Sequence, residues 1–138
     1  MNNTAADPIF FMLLEAGRSQ LERLEEALKN VGLSGAKYYV LSNLRDAGDP
    51  VPLRILAEKQ QCVASNMTTL VDRLEADGLV RRVDDPADRR SRRAVLTPLG
   101  EEKARAGAEA VAKVQEEFAA SLDPTERLAL AKVLSSLK

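Results

Sequence analysis

Residues 84–97, DDPADRRSRRAVLT, decide how the rest of the chain is read. Arg89, Arg90, Arg92 and Arg93 crowd together at what the pattern predicts to be the tip of a β-hairpin. Leu79–Val83 would form the outward strand, a loop would carry Pro86, and Arg93–Thr97 would return. A helical pattern, Ser65–Asp77, comes immediately before and turns Asn, Thr and Arg outward. An exposed turn kept soluble by charge is the plain reading of the arginines. Packed cations repel one another, however, and an anionic partner relieves that cost. A basic ribbon beside a polar-faced helix suits nucleic acid, with arginines on phosphate or in a groove while the helix reads base edges.

At 138 residues the chain holds one core rather than two, so residues 1–138 are expected to form a single domain. Hydrophobic residues at 45% and charged residues at 30% are the mix of a globular rather than a disordered protein. Aromatics are only 4%, while Ala and Leu abound, which favours helices. No apolar run approaches the ~18 residues of a membrane span. The opening MNNTAADP lacks the basic-then-apolar layout of a signal peptide, so a cytoplasmic location is expected. Net charge is −1, yet Leu79–Thr97 carries six arginines against three aspartates, leaving the remainder at −4. The basic charge is local, and its distribution says more than the total.

Missing residue types limit the chemistry. There is no histidine, the commonest general base and metal ligand. Cys62 stands alone, which permits neither an intrachain disulfide nor a thiolate cluster. Carboxylates fall in helical surface patterns and turns, and the glycines are scattered rather than gathered in a phosphate loop. Neither an enzyme nor a metal or cofactor site is expected.

Periodicity predicts a first helix over Pro8–Asn30, with Phe10, Leu14, Gly17, Leu21, Leu24, Leu28 and Val31 in one stripe. Such a stripe needs another long helix, from the same chain or a second one. Ser34 reads as the cap of a second helix, Gly35–Asp46, with Tyr38, Leu41 and Leu44 inward. Ala47–Pro52 breaks the chain, and Pro52 opens a third helix, Leu53–Gln60. The fourth helix buries Met67, Leu70, Val71 and Leu74 and ends at Gly78, which suits a left-handed position. After the hairpin, Thr97-Pro98 opens a fifth helix with Val111, Val114, Phe118 and Leu122 on its stripe. Asp123 and Glu126 form a capping arrangement for a sixth, whose apolar side is Leu128, Leu130, Leu134 and Leu137.

Two short helices, a tight turn and a β-hairpin are the layout of a winged helix-turn-helix within a mainly α fold. Helix three would brace helix four, with Ala57 allowing close crossing and Met67 filling the space between. Ala64, Ser65, Asn66, Thr68 and Thr69 are short enough to enter a major groove and polar enough to read it. Asn pairs bidentately with adenine and Thr offers its methyl to thymine. Arg73, further along, is placed for phosphate. Taken alone, these residues also describe a solvated helix face.

The segment DGLVRRVDDPADRRSRRAVLTPLG, Asp77–Gly100, resembles the signature of the MarR family of bacterial transcription regulators. The LSGAKYYVL opening of helix two and the final helix pair are similar as well, so the resemblance covers essentially the whole chain. It implies a homodimer whose terminal helices, about 8–32 and 98–138, interlock around a winged helix-turn-helix of about 33–97 with its wing at 79–97. It implies a pseudo-palindromic duplex DNA operator, with Arg90 in the minor groove and Asp88 orienting its guanidinium. Narrow A·T-rich grooves concentrate negative potential and so favour an inserted arginine. Arg89, Arg92 and Arg93 would touch backbone only. Two departures are local. Val63 stands where the family commonly has Ser or Thr, which shifts the expected cap to Ser65, and Gln61 stands where such turns often use Gly.

The resemblance further implies a repressor that releases DNA when a small aromatic or anionic effector binds between the reading and dimerisation parts. Phe10, Phe11, Arg18, Tyr38 and Tyr39 are the candidate pocket residues, with plain core or dimer contacts as the alternative for the two phenylalanines. Cys62 reads as a buried structural thiol, with a redox switch as the alternative. The rival from another class is a helical adaptor that keeps the winged fold and binds protein, its basic wing docking an acidic partner.

Overall fold

The computed structural model describes residues 7–137. Along the chain run α1 (Pro8–Lys29), α2 (Gly35–Ala47), β1 (Val51–Pro52), α3 (Leu53–Lys59) and α4 (Ala64–Ala76). There follow β2 (Val80–Asp85), β3 (Asp88–Leu96), α5 (Pro98–Ala120) and α6 (Pro124–Ser136). The three strands form one antiparallel sheet in the order β1-β3-β2. The fold is mainly α with a small sheet, as expected of a winged helix-turn-helix. No described helix is long and apolar enough to cross a membrane.

Short-range chemistry sets most helix starts. Ser34 accepts from the Lys37 N–H at 3.2 Å to open α2, and Thr97 accepts from the Gly100 N–H at 3.0 Å to open α5. Asp123 and Glu126 exchange hydrogen bonds with each other's backbone N–H in a full capping box. Helix α4 departs from expectation. It begins at Ala64 with Val63 in the cap position and no side-chain cap, rather than being capped by Ser65. The Val63 carbonyl accepts from both Asn66 and Met67, which pulls Ser65 into the first turn. Gln61 just before it takes φ +52°, the left-handed conformation for which glycine is the usual residue.

The sheet also corrects two expectations. The break at Ala47–Pro52 hides β1, whose Val51 and Pro52 pair with Ala94 and Arg93. Pro52 is tolerated because β1 is an edge. The strands of the hairpin are longer than predicted, leaving only Pro86 and Ala87 between them, so Arg89, Arg90 and Arg92 lie on β3 with Arg93 instead of in the loop.

Leu41, Leu56, Met67, Leu74, Val40, Val71 and Val80 are the largest fully buried side chains, and they come from α2, α3, α4 and β2. Helix α1 contributes only Leu28 to this core, while Phe10, Leu14 and Leu21 of the same stripe are exposed. Helix α6 buries none of its described residues.

The wing meets α5 at one tight junction. Gly78 ends α4 with φ +76°, the Thr97 hydroxyl donates to its carbonyl at 2.6 Å, and the Thr97 N–H donates to Leu79 at 3.1 Å. Gly100, in the first turn of α5, lies so close that a Cβ there would overlap the Leu79 carbonyl. Because backbone rather than a flexible side chain must yield, Gly100→Ala is expected to destabilise by about 1–3 kcal/mol. Thermal melting checks this, and an unchanged midpoint would show that the junction has room to spare.

Candidate nucleic-acid interface

Burial of Met67, Val71 and Leu74 on one stripe of α4 forces its remaining faces outward. Ala64, Ser65, Asn66, Thr68, Thr69 and Arg73 are all exposed. The brace is α3, whose Leu56 and Ala57 join the same core as Met67. Thr68 and Thr69 donate their hydroxyl protons to the carbonyls of Ala64 and Ser65, each at 3.1 Å. What each threonine offers outward is therefore its methyl and an oxygen lone pair.

The wing owes its shape to a break in register. Asp84 pairs with Arg92, but the next residue, Asp85, pairs with Asp88, so Arg89, Arg90 and Ser91 have no partner across the ladder. Such a bulge bends the strand and re-aims its side chains. Arg89 and Arg90 are exposed, and among the described residues neither has an acidic partner within salt-bridge range. Asp88 does not orient the Arg90 guanidinium as expected. Its carboxylate accepts from the Arg90 backbone N–H at 2.9 Å, fixing the chain at the bulge and leaving the side chain free.

The other arginines are divided between surface and structure. Arg92 pairs with Asp84 at 3.4 Å, both well exposed, a contact that solvent screens to little. Arg93 is half-buried and pairs with the buried Asp85 at 3.0 Å, so it supports the hairpin. Arg82 is tied to Asp72 of α4. A groove of about 600 Å³ opens where α3, α4 and the wing converge, lined among others by Arg54, Thr68, Arg82, Asp88 and Arg90. Sequence pattern does not single out Arg54, because it is a lone arginine on α3, far along the chain from the arginine cluster. Only the fold brings it to the groove.

The candidate effector residues are spread out in the single subunit. Phe10 and Phe11 sit exposed near the start of α1, ring centroids 5.5 Å apart and edge to face. Arg18 pairs with Glu22 at 3.7 Å and lines a separate groove with Leu21, Glu25 and Leu33. Tyr38 is half-buried, its ring against Gly107 of α5, and Tyr39 is exposed. At about 1.5 Å rise per residue, Phe10 lies roughly 27 Å along α1 from its core residue Leu28. Neither the groove beside the wing nor the one lined by Arg18 collects all five. Cys62 is partly buried against the core.

A family model described as MarR family matches residues 33–91, the span from just before α2 through the wing bulge. AbsC, a MarR family transcriptional regulator from Streptomyces coelicolor, is 32% identical. It superposes with a TM-score of 0.84, covering 99% of this chain and 93% of that one. The chain belongs to the MarR family. Two further proteins are similar to it. The HTH-type transcriptional regulator MhqR of Bacillus subtilis is 32% identical over 67% of this chain and 63% of its own length. CouR from Rhodococcus jostii RHA1, solved with p-coumaroyl-CoA, is 28% identical, with a TM-score of 0.78 and coverage of 98% and 95%. The chain spans 51% to 63% of the length of the three curated Bacillus subtilis regulators it matches.

In this MarR wing, Asp85 carries an acid-sensitive contact. The Ala87 N–H at 2.9 Å, and then the Arg93 guanidinium, hold its carboxyl below the ordinary 3.8 despite its burial. A carboxylate favoured in the folded state stabilises it fully above pH 3.8, and that contribution fades as pH falls through the lowered value. Asp85→Asn is therefore expected to lower the melting point at neutral pH and to flatten its fall below pH 3.8. Parallel pH–melting curves of equal slope would remove Asp85 from the wing's support.

Proposed function

We propose that this chain is a homodimeric, sequence-specific DNA-binding repressor acting in the cytoplasm and released by a small effector. The observation that carries the reading is the shared basic groove, which Arg54 of α3, Thr68 of α4 and Arg90 and Arg92 of the wing line together, beside the exposed Ser65, Asn66 and Thr69. Helix α4 reads a major groove through Ser65, Asn66, Thr68 and Thr69, while Ala64 leaves room at the entry and Arg73 meets phosphate. Arg90 enters the adjacent minor groove, with Asp88 holding its backbone, and Arg89 and Arg92 lie along phosphate.

The apolar residues left open on α1, α5 and α6 support pairing with a second copy. Phe10, Leu14, Leu21, Phe118, Leu128 and Leu134 are too many and too regularly spaced for solvent. Twofold pairing implies a pseudo-palindromic operator with half-sites about 10 bp apart. CouR with its bound CoA thioester supports an aromatic or anionic effector here. Pairing would be what gathers Phe10, Phe11, Arg18, Tyr38 and Tyr39 near one another. Release requires that the ligand favour a spacing of the two reading helices that DNA does not accept.

Selection from a pool of random duplexes tests the reading. An enriched palindrome supports the repressor, and no enrichment favours the adaptor. On the enriched duplex, Arg90→Ala should cost about 1–3 kcal/mol of binding. It should also flatten the dependence of log K on log salt by about 0.9 for each phosphate no longer neutralised. Melting and oligomeric state should stay as in the wild type. Wild-type affinity in that variant at matched salt would place Arg90 outside the interface.

A further inference from the structure

We infer that Arg82 is a positioning residue for DNA recognition, locking the wing to α4 so that Arg90 and the reading face keep one fixed spacing. Resting on the DNA-binding reading above, the inference starts from how α4 is partitioned. Met67, Val71 and Leu74 go to the core. Thr68, Asp72 and Glu75, the neighbouring stripe at spacings of four and three, all contact Arg82. Its guanidinium donates to the Thr68 carbonyl at 3.3 Å and to the Asp72 carboxylate, and its backbone N–H donates to Glu75 Oε2 at 3.0 Å. Ser65, Asn66, Thr69 and Arg73 remain free.

One strand residue thus spans two turns of the reading helix. Arg82 sits in the regular part of the ladder, opposite the fully buried Ala94 and just before the register breaks. Its side chain is only 22% exposed and its Nε is buried without a partner. That is a poor posture for a phosphate contact and a good one for a brace. It also neutralises Asp72, exposed on α4, where a bare carboxylate would repel DNA. Without the guanidinium's bonds the wing would be held to α4 only through the core and the Glu75 contact with the Arg82 backbone N–H, and would swing. Specific binding needs α4 and Arg90 in adjacent grooves at once, whereas non-specific binding needs only positive charge.

The test uses the full chain, the palindromic duplex that the wild type enriches, and a scrambled duplex of equal length and composition. Arg82→Gln should lower the ratio of specific to scrambled affinity about tenfold. The salt slope and the affinity for the scrambled duplex should stay within about twofold of wild type. Asp72→Asn should lower the ratio in the same way, and the double variant should be no worse than the larger single effect. Arg82→Lys should fall between, because one ammonium cannot fork to carboxylate and carbonyl together. A salt slope flattened by about 0.9 per arginine, with the ratio unchanged, would make Arg82 a phosphate contact and overturn the inference. A lowered melting point with wild-type ratios in Asp72→Asn and Arg82→Lys would reduce it to ordinary stabilisation. Should Arg82→Gln fail to fold, the half-exposed Asp72 decides alone, since its replacement leaves the core intact. A pool with no enriched duplex would instead sink the DNA-binding reading itself, a result distinct from an enriched duplex that Arg82→Gln reads as well as the wild type.

Discussion

Complete burial of one narrow stripe of α4 is the constraint on which the other features depend. Met67, Val71 and Leu74 each lie at 0% exposure. Burying side chains of this kind is worth about 1.5–3 kcal/mol apiece, far more than any contact the outward face makes within the subunit. The stripe alone fixes the helix in rotation and depth. Apart from Thr68, Asp72 and Glu75, which hold Arg82, the outward face is then released from any duty to stability, and short polar residues such as Ser65, Asn66 and Thr69 can occupy it. The missing cap at Val63 and the left-handed Gln61 fit the same logic. A helix start held by tertiary packing survives local chemistry that would fray an isolated helix.

The wing solves a different difficulty, that of keeping arginines close without letting them push the hairpin apart. Acidic residues at 84, 85 and 88 are interleaved with the cations, and each has a distinct partner. Asp85 takes Arg93 and the Ala87 N–H at the buried side, Asp84 meets Arg92 in solvent, and Asp88 holds the Arg90 backbone. The bulge then removes Arg89 and Arg90 from the ladder, where their side chains would otherwise have had to alternate across the strand. Charge density along the sequence overstates the charge offered to a partner, because Arg82 and Arg93 are already neutralised.

What could be read in the sequence was local. Ser34, Thr97 and the Asp123–Glu126 pair announced their helices because a cap and its partner lie within three residues. The α4 stripe and Gly78 were legible for the same reason. Contacts between distant segments were not. Strand β1 is two residues long, and its pairing to Ala94 and Arg93 leaves no alternation to detect. β3 looked shorter than it is because a run of arginines has no inside and outside. Arg82 was visible only as charge, since its tie to Asp72 exists once the hairpin folds back over α4. The candidate effector residues share a chemical type, and type alone does not say that α1 carries its phenylalanines away from Tyr38.

The terminal helices turn these local devices into a question of spacing. Helix α6 buries none of its described residues within the subunit, and the first turns of α1 expose Ile9, Phe10, Phe11 and Met12 together. Helices with so little intrachain packing draw their stability from elsewhere, and in the proposed dimer they draw it from each other. Their geometry cannot then shift without consequence for α4. Gly100, in the first turn of α5, lies hard against the Leu79 carbonyl, with Thr97 bonded to both Gly78 and Leu79. Lys37 of α2 reaches Asp77 at the other side of the same helix end. In the proposed dimer a rotation of α5 would therefore reach the C-terminal end of α4 through these close contacts. With Arg82 tying the wing to α4, as inferred above, both elements would turn as one body about the axis of the proposed dimer.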